Sequence, residues 1–176
     1  MKKRSKIIDC ILKRRSIRNL KSDPIPENDI EIMLRCLEAA PSAGNLQPWF
    51  FYVIRSQEIK KRLCHLSFDQ KVVEQAPVVF AICAKPEESA IEYGDVGRNL
   101  FCIQDAAAAV QNLLLAVHDM GYGAVWIGIV KEKEIAECIG LPQGMRPMAL
   151  VPVGIANEKP GKMERKGWKK VSKVVD

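Results

Sequence analysis

The spacing of apolar residues along this chain predicts an alternation of helices and strands. Two amphipathic helical patterns come first, and Ser5 is a candidate N-cap for the earlier one. Their apolar faces consist of Ile7, Ile8, Ile11 and Leu12 in the first pattern and Ile30, Met33, Leu34 and Leu37 in the second. A β-branched and aromatic run at 50–54 then predicts a strand, and residues 57–66 predict another helix.

The second half of the chain is more continuously apolar. Residues 78–84 and 124–129 are unbroken apolar runs, typical of strands covered on both faces, and residues 148–156 predict a last strand. Residues 97–120 form the longest helical pattern and are apolar nearly all round. This pattern predicts a central buried helix that packs in the core or at a subunit interface. Residues 131–139 predict a short helix.

These elements predict a single α/β domain over residues 1–176, with helices flanking a four- or five-stranded sheet. A hydrophobic content of 48% in 176 residues is enough for one substantial core. Asp105, Gln111 and Asp119 keep every apolar run below the roughly 18 residues of a membrane span, so we expect none. The basic start of the chain lacks the apolar segment of a signal peptide, which predicts a cytoplasmic location.

The six cysteines lie at wide intervals, without a C-x-x-C pair. This spacing predicts buried reduced thiols and argues against a zinc site or an iron–sulfur cluster, so we expect no metal. The glycine motifs G-x-G-x-x-G and G-x-x-x-x-G-K-[ST] are absent as well. The chain therefore has neither a Rossmann dinucleotide fingerprint nor a P-loop.

The net charge of +6 is unevenly distributed. Residues 1–21 hold nine basic residues and one acid, and residues 158–176 hold seven and three, whereas the middle of the chain is acidic. Three interpretations are open from this pattern. The basic ends form a nucleic-acid surface, they are solvated termini, or they meet around one small anion.

The first basic end contains the dense cluster Lys13-Arg14-Arg15-Ser16-Ile17-Arg18. On a helix, Arg14 and Arg18 would be like charges four residues apart, and they would repel each other unless an anion neutralised them. Guanidinium groups bind phosphate oxygens in bidentate fashion, and Ser16 adds a hydroxyl donor. The cluster therefore indicates a phosphate site, with a solvated basic turn as the alternative.

A polar loop, P-S-A-G-N-L-Q-P-W from Pro41 to Trp49, lies between a predicted helix and a predicted strand. Gly44 allows the backbone to approach a ligand closely. Ser42, Asn45 and Gln47 offer hydrogen-bonding groups without charge. Such a loop suits a neutral, planar heterocycle, and the alternative is an ordinary loop that ends a helix.

Four separated segments together closely resemble the FMN-dependent nitroreductase family. They are Arg14-Arg15-Ser16-Ile17-Arg18, the loop from Pro41 to Trp49, the helical segment from Gln104 to Leu113 before Gly121, and Val125-Trp126-Ile127-Gly128. The resemblance covers nearly the whole chain. It implies a three-layer fold with a central, mostly antiparallel sheet of four to five strands, flanking helices and a long buried central helix.

The resemblance further implies a homodimer with two FMN sites at the subunit interface. In this scheme Arg14 would hold the flavin phosphate, Arg18 would lie near the N1/O2 edge, and the partner chain would supply the loop that begins at Pro41. The positions that match the family's cofactor-binding motifs are Arg14, Arg15, Ser16, Arg18, Pro41, Ser42, Ala43, Asn45, Gln47, Trp126, Ile127, Gly128, Lys162 and Arg165. Gln70 and Lys71 are two open candidates for a further contact with the ring.

The activity implied by the resemblance is a ping-pong oxidoreduction. NAD(P)H would pass a hydride to flavin N5, and a small electron-poor acceptor such as a nitroaromatic or a quinone would then take it. Because the cofactor carries the chemistry, we expect no catalytic residue in the protein. We also expect neither nucleic acid nor a membrane as a partner. Two alternatives stay open: a specialised relative with reductive dehalogenation or flavin-consuming chemistry, and a flavin- or nucleic-acid-binding protein without turnover.

Overall fold

The computed structural model describes residues 5–161 and 163–175. Its centre is a five-stranded sheet with the strand order β1-β2-β5-β3, and β4 also pairs with β5. The strands are β1 Trp49–Ile54, β2 Val78–Ala84, β3 Gly123–Ala124, β4 Ile127–Gly128 and β5 Arg146–Gly154. These strands pair antiparallel throughout, so the predicted strand number and antiparallel character of the sheet are confirmed.

Helices cover both faces of this sheet. They are α1 Lys6–Lys13, α2 Glu27–Glu38, α3 Gln57–Leu66, α4 Val72–Gln75, α5 Pro86–Val96, α6 Cys102–Asp119 and α7 Glu132–Ile139. Ser5 caps α1 as predicted, because its hydroxyl accepts a hydrogen bond from the N–H of Ile7. Ser56 caps α3 in the same way through the N–H of Ile59, and α3 has the predicted bounds.

Two apolar clusters pack against the two faces of the sheet. Because successive strand residues point to opposite faces, Phe80 of β2 packs in one cluster and Val79 in the other. The first cluster includes Leu113 of α6, and the second includes Leu63 of α3. The whole of β2 is buried, which explains its unbroken apolar sequence and confirms the predicted three-layer fold.

The prediction of one buried strand over residues 124–129 is wrong in two respects. β3 and β4 share one register with β5, but the pairing is interrupted opposite Pro152, which has no N–H to donate. In addition, only one face of this segment is covered. Val125 and Ile127 are 3% exposed, whereas the Trp126 side chain between them is 40% exposed.

The central helix begins later than the predicted range 97–120. α6 starts at Cys102, and residues Gly97–Phe101 form a π-helical turn before it. A Cβ atom on Gly97 would lie 2.3 Å from the carbonyl oxygen of Ser89, so this turn packs too closely for any other residue. α6 is central, as predicted, although its buried residues lie on one face while Gln111 is exposed.

The preceding helix α5 is missing from the sequence prediction, although Pro86 in its first turn and the following Glu87 and Glu88 are a typical helix start. Within the described residues, Pro86–Asp119 is long and apolar enough to cross a membrane, judged by length and composition alone. Gly94, with φ 55° and ψ −137°, interrupts the helical backbone in this stretch. The apolar side chains of α6 pack in the core, as they do in a core helix of a globular protein.

The six cysteines are all free, in agreement with the prediction of reduced thiols. Four of them are buried, whereas Cys10 and Cys36 are half-buried. No group of three or more His, Cys, Asp or Glu residues in the described part of the chain is arranged to hold a metal ion.

Candidate functional site

The two basic ends of the chain meet around one cavity of about 420 Å³, which we call the basic cavity. Residues from the amino-terminal segment and from the carboxyl-terminal tail line it together. They are Arg14, Arg15, Ser16, Arg18, Glu158, Pro160, Gly161, Met163, Glu164 and Arg165. Of the three interpretations of the charge pattern, the structure therefore favours the one in which the ends converge. Lys162, which the resemblance predicts to bind the cofactor, lies outside the described residues.

Main-chain hydrogen bonds hold the two ends side by side. The N–H of Lys21 donates to the carbonyl of Ile155 at 2.9 Å, and the N–H of Asn157 donates to the carbonyl of Asn19 at 3.0 Å. The carboxylate of Glu158 then accepts hydrogen bonds from the main-chain N–H groups of Arg18 and Asn19. Because these contacts use backbone atoms, the Arg18 guanidinium stays exposed at the cavity.

The basic cavity carries positive charge that the described residues do not neutralise. Burial lowers the pKa of Arg14, and the neighbouring Arg165 and Arg15 lower it further. Arg15 donates from Nη1 to the carbonyls of Leu12 and Arg14, both at 2.8 Å. Among residues 5–161 and 163–175, no carboxylate lies within ion-pair distance of Arg14 or Arg165. Such a cluster is a ready site for a multivalent anion.

His118, near the end of α6, lies beside this cluster. Burial lowers the pKa of His118, and the positive charge of Arg14 lowers it further. The imidazole therefore favours its neutral form next to the cavity. This places the C-terminal end of α6 close to Arg14.

The polar loop has a tight, internally bonded backbone. Its residues Gly44, Asn45 and Gln47 have φ values of 56°, 55° and 51°, in the left-handed region. The hydroxyl of Ser42 accepts a hydrogen bond from the N–H of Gln47 at 2.9 Å. A Cβ atom on Gly44 would lie 2.8 Å from the Tyr93 hydroxyl, so both the conformation and the space require glycine here.

A buried carboxylate fastens this loop to α6. Oδ1 of Asp105 accepts a hydrogen bond from the N–H of Ala43 at 3.0 Å. Asp105 is 7% exposed, and its Oδ2 has no hydrogen-bond partner in the described part of the chain. Burial raises the pKa of this carboxyl. The sequence analysis did not assign this contact to Asp105, and the signal for it was a carboxylate within an otherwise apolar helical face.

With its backbone fixed in this way, the loop turns its polar groups outward. Asn45, Gln47 and Pro41 are exposed, and Ser42 and Ala43 are half-buried. The amide of Gln47 donates to the carbonyl of Asn45 at 3.2 Å.

The loop and the basic cavity lie at opposite ends of α6. The loop is bonded to Asp105, whereas Arg14 lies beside His118, and a helix rises 1.5 Å per residue. The two parts are therefore about 20 Å apart along the helix axis within one chain. The structure brings Arg14, Arg15, Ser16, Arg18 and Arg165 together, and it does not bring the loop to them within a single protomer.

The third predicted segment presents one aromatic ring and one glycine. Trp126 and Gly128 are exposed, whereas Ile127 between them is buried and its side chain packs in the core. A Cβ atom on Gly128 would meet nothing within 4 Å. The open candidates Gln70 and Lys71 have partners of their own, the Ser67 carbonyl and the Glu74 carboxylate.

Comparisons with known proteins agree on one family. The family model described as "Nitroreductase family" matches residues 11–70 and 65–155 of this chain. The chain is 33% identical over 151 residues to the "Putative NADH dehydrogenase/NAD(P)H nitroreductase" of Archaeoglobus fulgidus, covering 84% of this chain and 83% of the relative. It is 26% identical over 171 residues to the FMN reductase (NADPH) of Bacillus subtilis, covering 90% of this chain and 69% of the relative. The structure of nitroreductase A from Vibrio parahaemolyticus matches with a TM-score of 0.90 at 26% identity, covering 99% of this chain and 77% of that one.

The buried charge of Asp105 predicts a pH-dependent stability. Asp105→Asn keeps an acceptor for the N–H of Ala43 but removes the charge. Because burial raises the pKa of Asp105, the native protein binds this proton more tightly than the unfolded chain. The wild type should therefore gain stability relative to the variant as the pH falls through the raised pKa. Urea denaturation of both proteins across this pH range measures the difference, and a difference that does not change with pH would contradict the prediction.

Proposed function

Because the chain belongs to the nitroreductase family, we propose that it is an FMN-dependent oxidoreductase that takes a hydride from NAD(P)H and passes it to a small electron-poor acceptor, such as a nitroaromatic or a quinone. The observation that carries the proposal is the basic cavity, where Arg14 and Arg165 lie close together and no carboxylate of the described residues is within ion-pair distance of them. The FMN reductase (NADPH) among the relatives supports the choice of flavin and donor.

The donors of the basic cavity fit the phosphate of FMN. A phosphate ester dianion would neutralise Arg14 and Arg165, and guanidinium groups bind phosphate oxygens with charge-assisted hydrogen bonds. Ser16 supplies a further hydroxyl in the same cavity. The cavity is concave and is also lined by Glu158 and Glu164, which favours a small anion over a nucleic-acid backbone.

Bound FMN would supply the hydride chemistry at its N5 position. The part of Arg18 is electrostatic, since an exposed guanidinium at the edge of the cavity would stabilise negative charge on the reduced pyrimidine ring. The exposed residues Trp126 and Gly128 are available to the ring edge, and the Trp126 side chain can cover a neighbouring apolar surface. Because no separate dinucleotide motif is present in the sequence, NAD(P)H and the acceptor would use the same face of the flavin in turn.

The protein would act in the cytoplasm as a homodimer. A homodimer accounts for the separation of the polar loop from the basic cavity. In one chain the loop and Arg14 are about 20 Å apart along α6, so the loop of a second copy is the one that completes each site. α1 supports this arrangement, because it has an apolar face that the described part of the chain leaves exposed. Ile7, Ile8, Ile11 and Leu12 are 70%, 48%, 51% and 53% exposed.

The proposed activity is tested by the visible spectrum of the purified protein. We expect a yellow protein whose oxidised flavin band disappears when NADH or NADPH is added without oxygen, because hydride transfer reduces the ring. The band should return on addition of a quinone or a nitroaromatic. A colourless protein that binds no added FMN, or a flavin band that neither donor reduces, would refute the proposal.

A mixed dimer tests whether two chains share each site. Arg14→Ala removes the phosphate clamp, and Gly44→Val displaces the loop through the Tyr93 contact. Each variant alone should lose flavin. In a mixed dimer one site carries both changes and the other carries neither, so about half of the sites should bind FMN again. Flavin content by absorbance measures this, and Arg35→Ala, an exposed arginine paired with Glu31, is the control that should keep full occupancy. If mixed dimers recover nothing, both halves of a site come from one chain.

A further inference from the structure

A second cleft, of about 580 Å³, shares no residue with the basic cavity. We call it the lysine cleft. It lies between the connector that precedes α2, the end of β1, the helices α3 and α4, and the start of β2. Pro24, which is exposed, and Pro77, which is half-buried, form its apolar part, and Arg55, Gln57 and Lys60 provide polar groups. The volume lies within the range of about 300–1,000 Å³ that is typical of small-molecule sites.

Lys60 is the unusual residue of this cleft, because its side chain is charged and only 4% exposed. Its Nζ donates one hydrogen bond, to the carbonyl of Ala76 at 2.6 Å. An ammonium group has three donors, so this contact leaves two of them for other partners. The Ala76 carbonyl lies at the C-terminal end of α4, where carbonyl groups accept hydrogen bonds from cations. It occupies one of the three donors of Lys60.

The charge of Lys60 has no ion-pair partner in the described part of the chain. Within residues 5–161 and 163–175, no carboxylate lies within ion-pair distance of Lys60. Burial alone lowers the pKa of Lys60, and no neighbouring acid acts in the opposite direction. A buried cation without a partner is unfavourable, and it is stabilised by any anion that reaches it.

The other charged residues of the lysine cleft are already paired. Nη2 of Arg55 lies 2.7 Å and 2.6 Å from the two carboxylate oxygens of Glu27. Glu74 pairs with Lys71 at 3.2 Å. Lys60 is therefore the charged residue of the cleft that has no ion-pair partner among the described residues. A single positive charge is neutralised by a monoanion rather than by a dianion.

We propose that the lysine cleft binds a small organic monoanion, a carboxylate with an apolar body, whose charge pairs with Lys60 while the body lies against Pro24 and Pro77. This site is separate from the proposed flavin site, and the argument for it does not depend on the flavin. A carboxylate accepts hydrogen bonds from both remaining donors of the ammonium group, and the apolar wall distinguishes it from inorganic anions.

Thermal unfolding of the purified protein, with its bound flavin, tests the site with hexanoate as probe and hexanamide as its neutral counterpart. A ligand at about 100 times its Kd should raise the Tm of a protein of this size by about 5–10 °C. We expect a saturable rise with hexanoate and none with hexanamide. Lys60→Met should abolish the rise, and Lys61→Met, which changes the exposed neighbour on the same helix, should keep it.

Amide chemical shifts of the wild type provide a second measurement that does not depend on the folding of a variant. Saturating hexanoate should shift the amide signals of Ile25, Lys60 and Val78 and leave those of the basic cavity unchanged. Equal effects of hexanoate and hexanamide, a rise in Tm that survives Lys60→Met, or shifts confined to the basic cavity would each overturn the proposal. A response to inorganic phosphate but not to hexanoate would also overturn it.

Discussion

The structure depends on a short main-chain pairing that holds like charges together. The bonds between Lys21 and Ile155 and between Asn157 and Asn19 fix the two basic ends against the repulsion of Arg14, Arg15 and Arg165. Each such hydrogen bond contributes only about 0.5–1.5 kcal/mol to stability. The repulsion between the arginine side chains opposes this contribution. A dianion bound in the basic cavity would turn that repulsion into attraction, and it would thereby link flavin binding to stability.

The second constraint is the straight length of α6. The helix holds Asp105, and with it the polar loop, toward its beginning and places His118, and with it Arg14, at its end. The two parts of the proposed flavin site therefore lie apart within one chain. The exposed apolar face of α1 fits the proposed homodimer, because a second copy that completed the site would also cover exposed surface.

Local sequence patterns predicted the elements that are governed by periodicity and burial. The apolar run of β2, the cap Ser5 and the bounds of α3 follow from residue type and spacing alone. The convergence of the basic ends was one of three interpretations that the charge distribution left open. The assignment of individual residues to flavin contacts stays a prediction, because it rests on family motifs rather than on a bound ligand.

The features that the sequence analysis missed depend on residues far apart in the chain. The gap between β3 and β4 arises from Pro152 on the facing strand. The π-helical turn depends on the close approach of Gly97 to Ser89, and the role of Asp105 depends on Ala43. The lysine cleft is another example, since no local pattern around Lys60 indicates that its side chain is buried without a counter-charge.

The central claim is that the basic cavity holds the phosphate of a flavin nucleotide, and comparing the affinities for FMN and riboflavin by calorimetry tests it most directly. Two charge-assisted bonds of at least about 1.5 kcal/mol each predict that the apoprotein binds FMN at least ~100-fold more tightly than riboflavin. Arg14→Ala should reduce FMN affinity at least about tenfold and leave riboflavin affinity nearly unchanged. Equal affinities of the wild type for the two flavins would contradict the account.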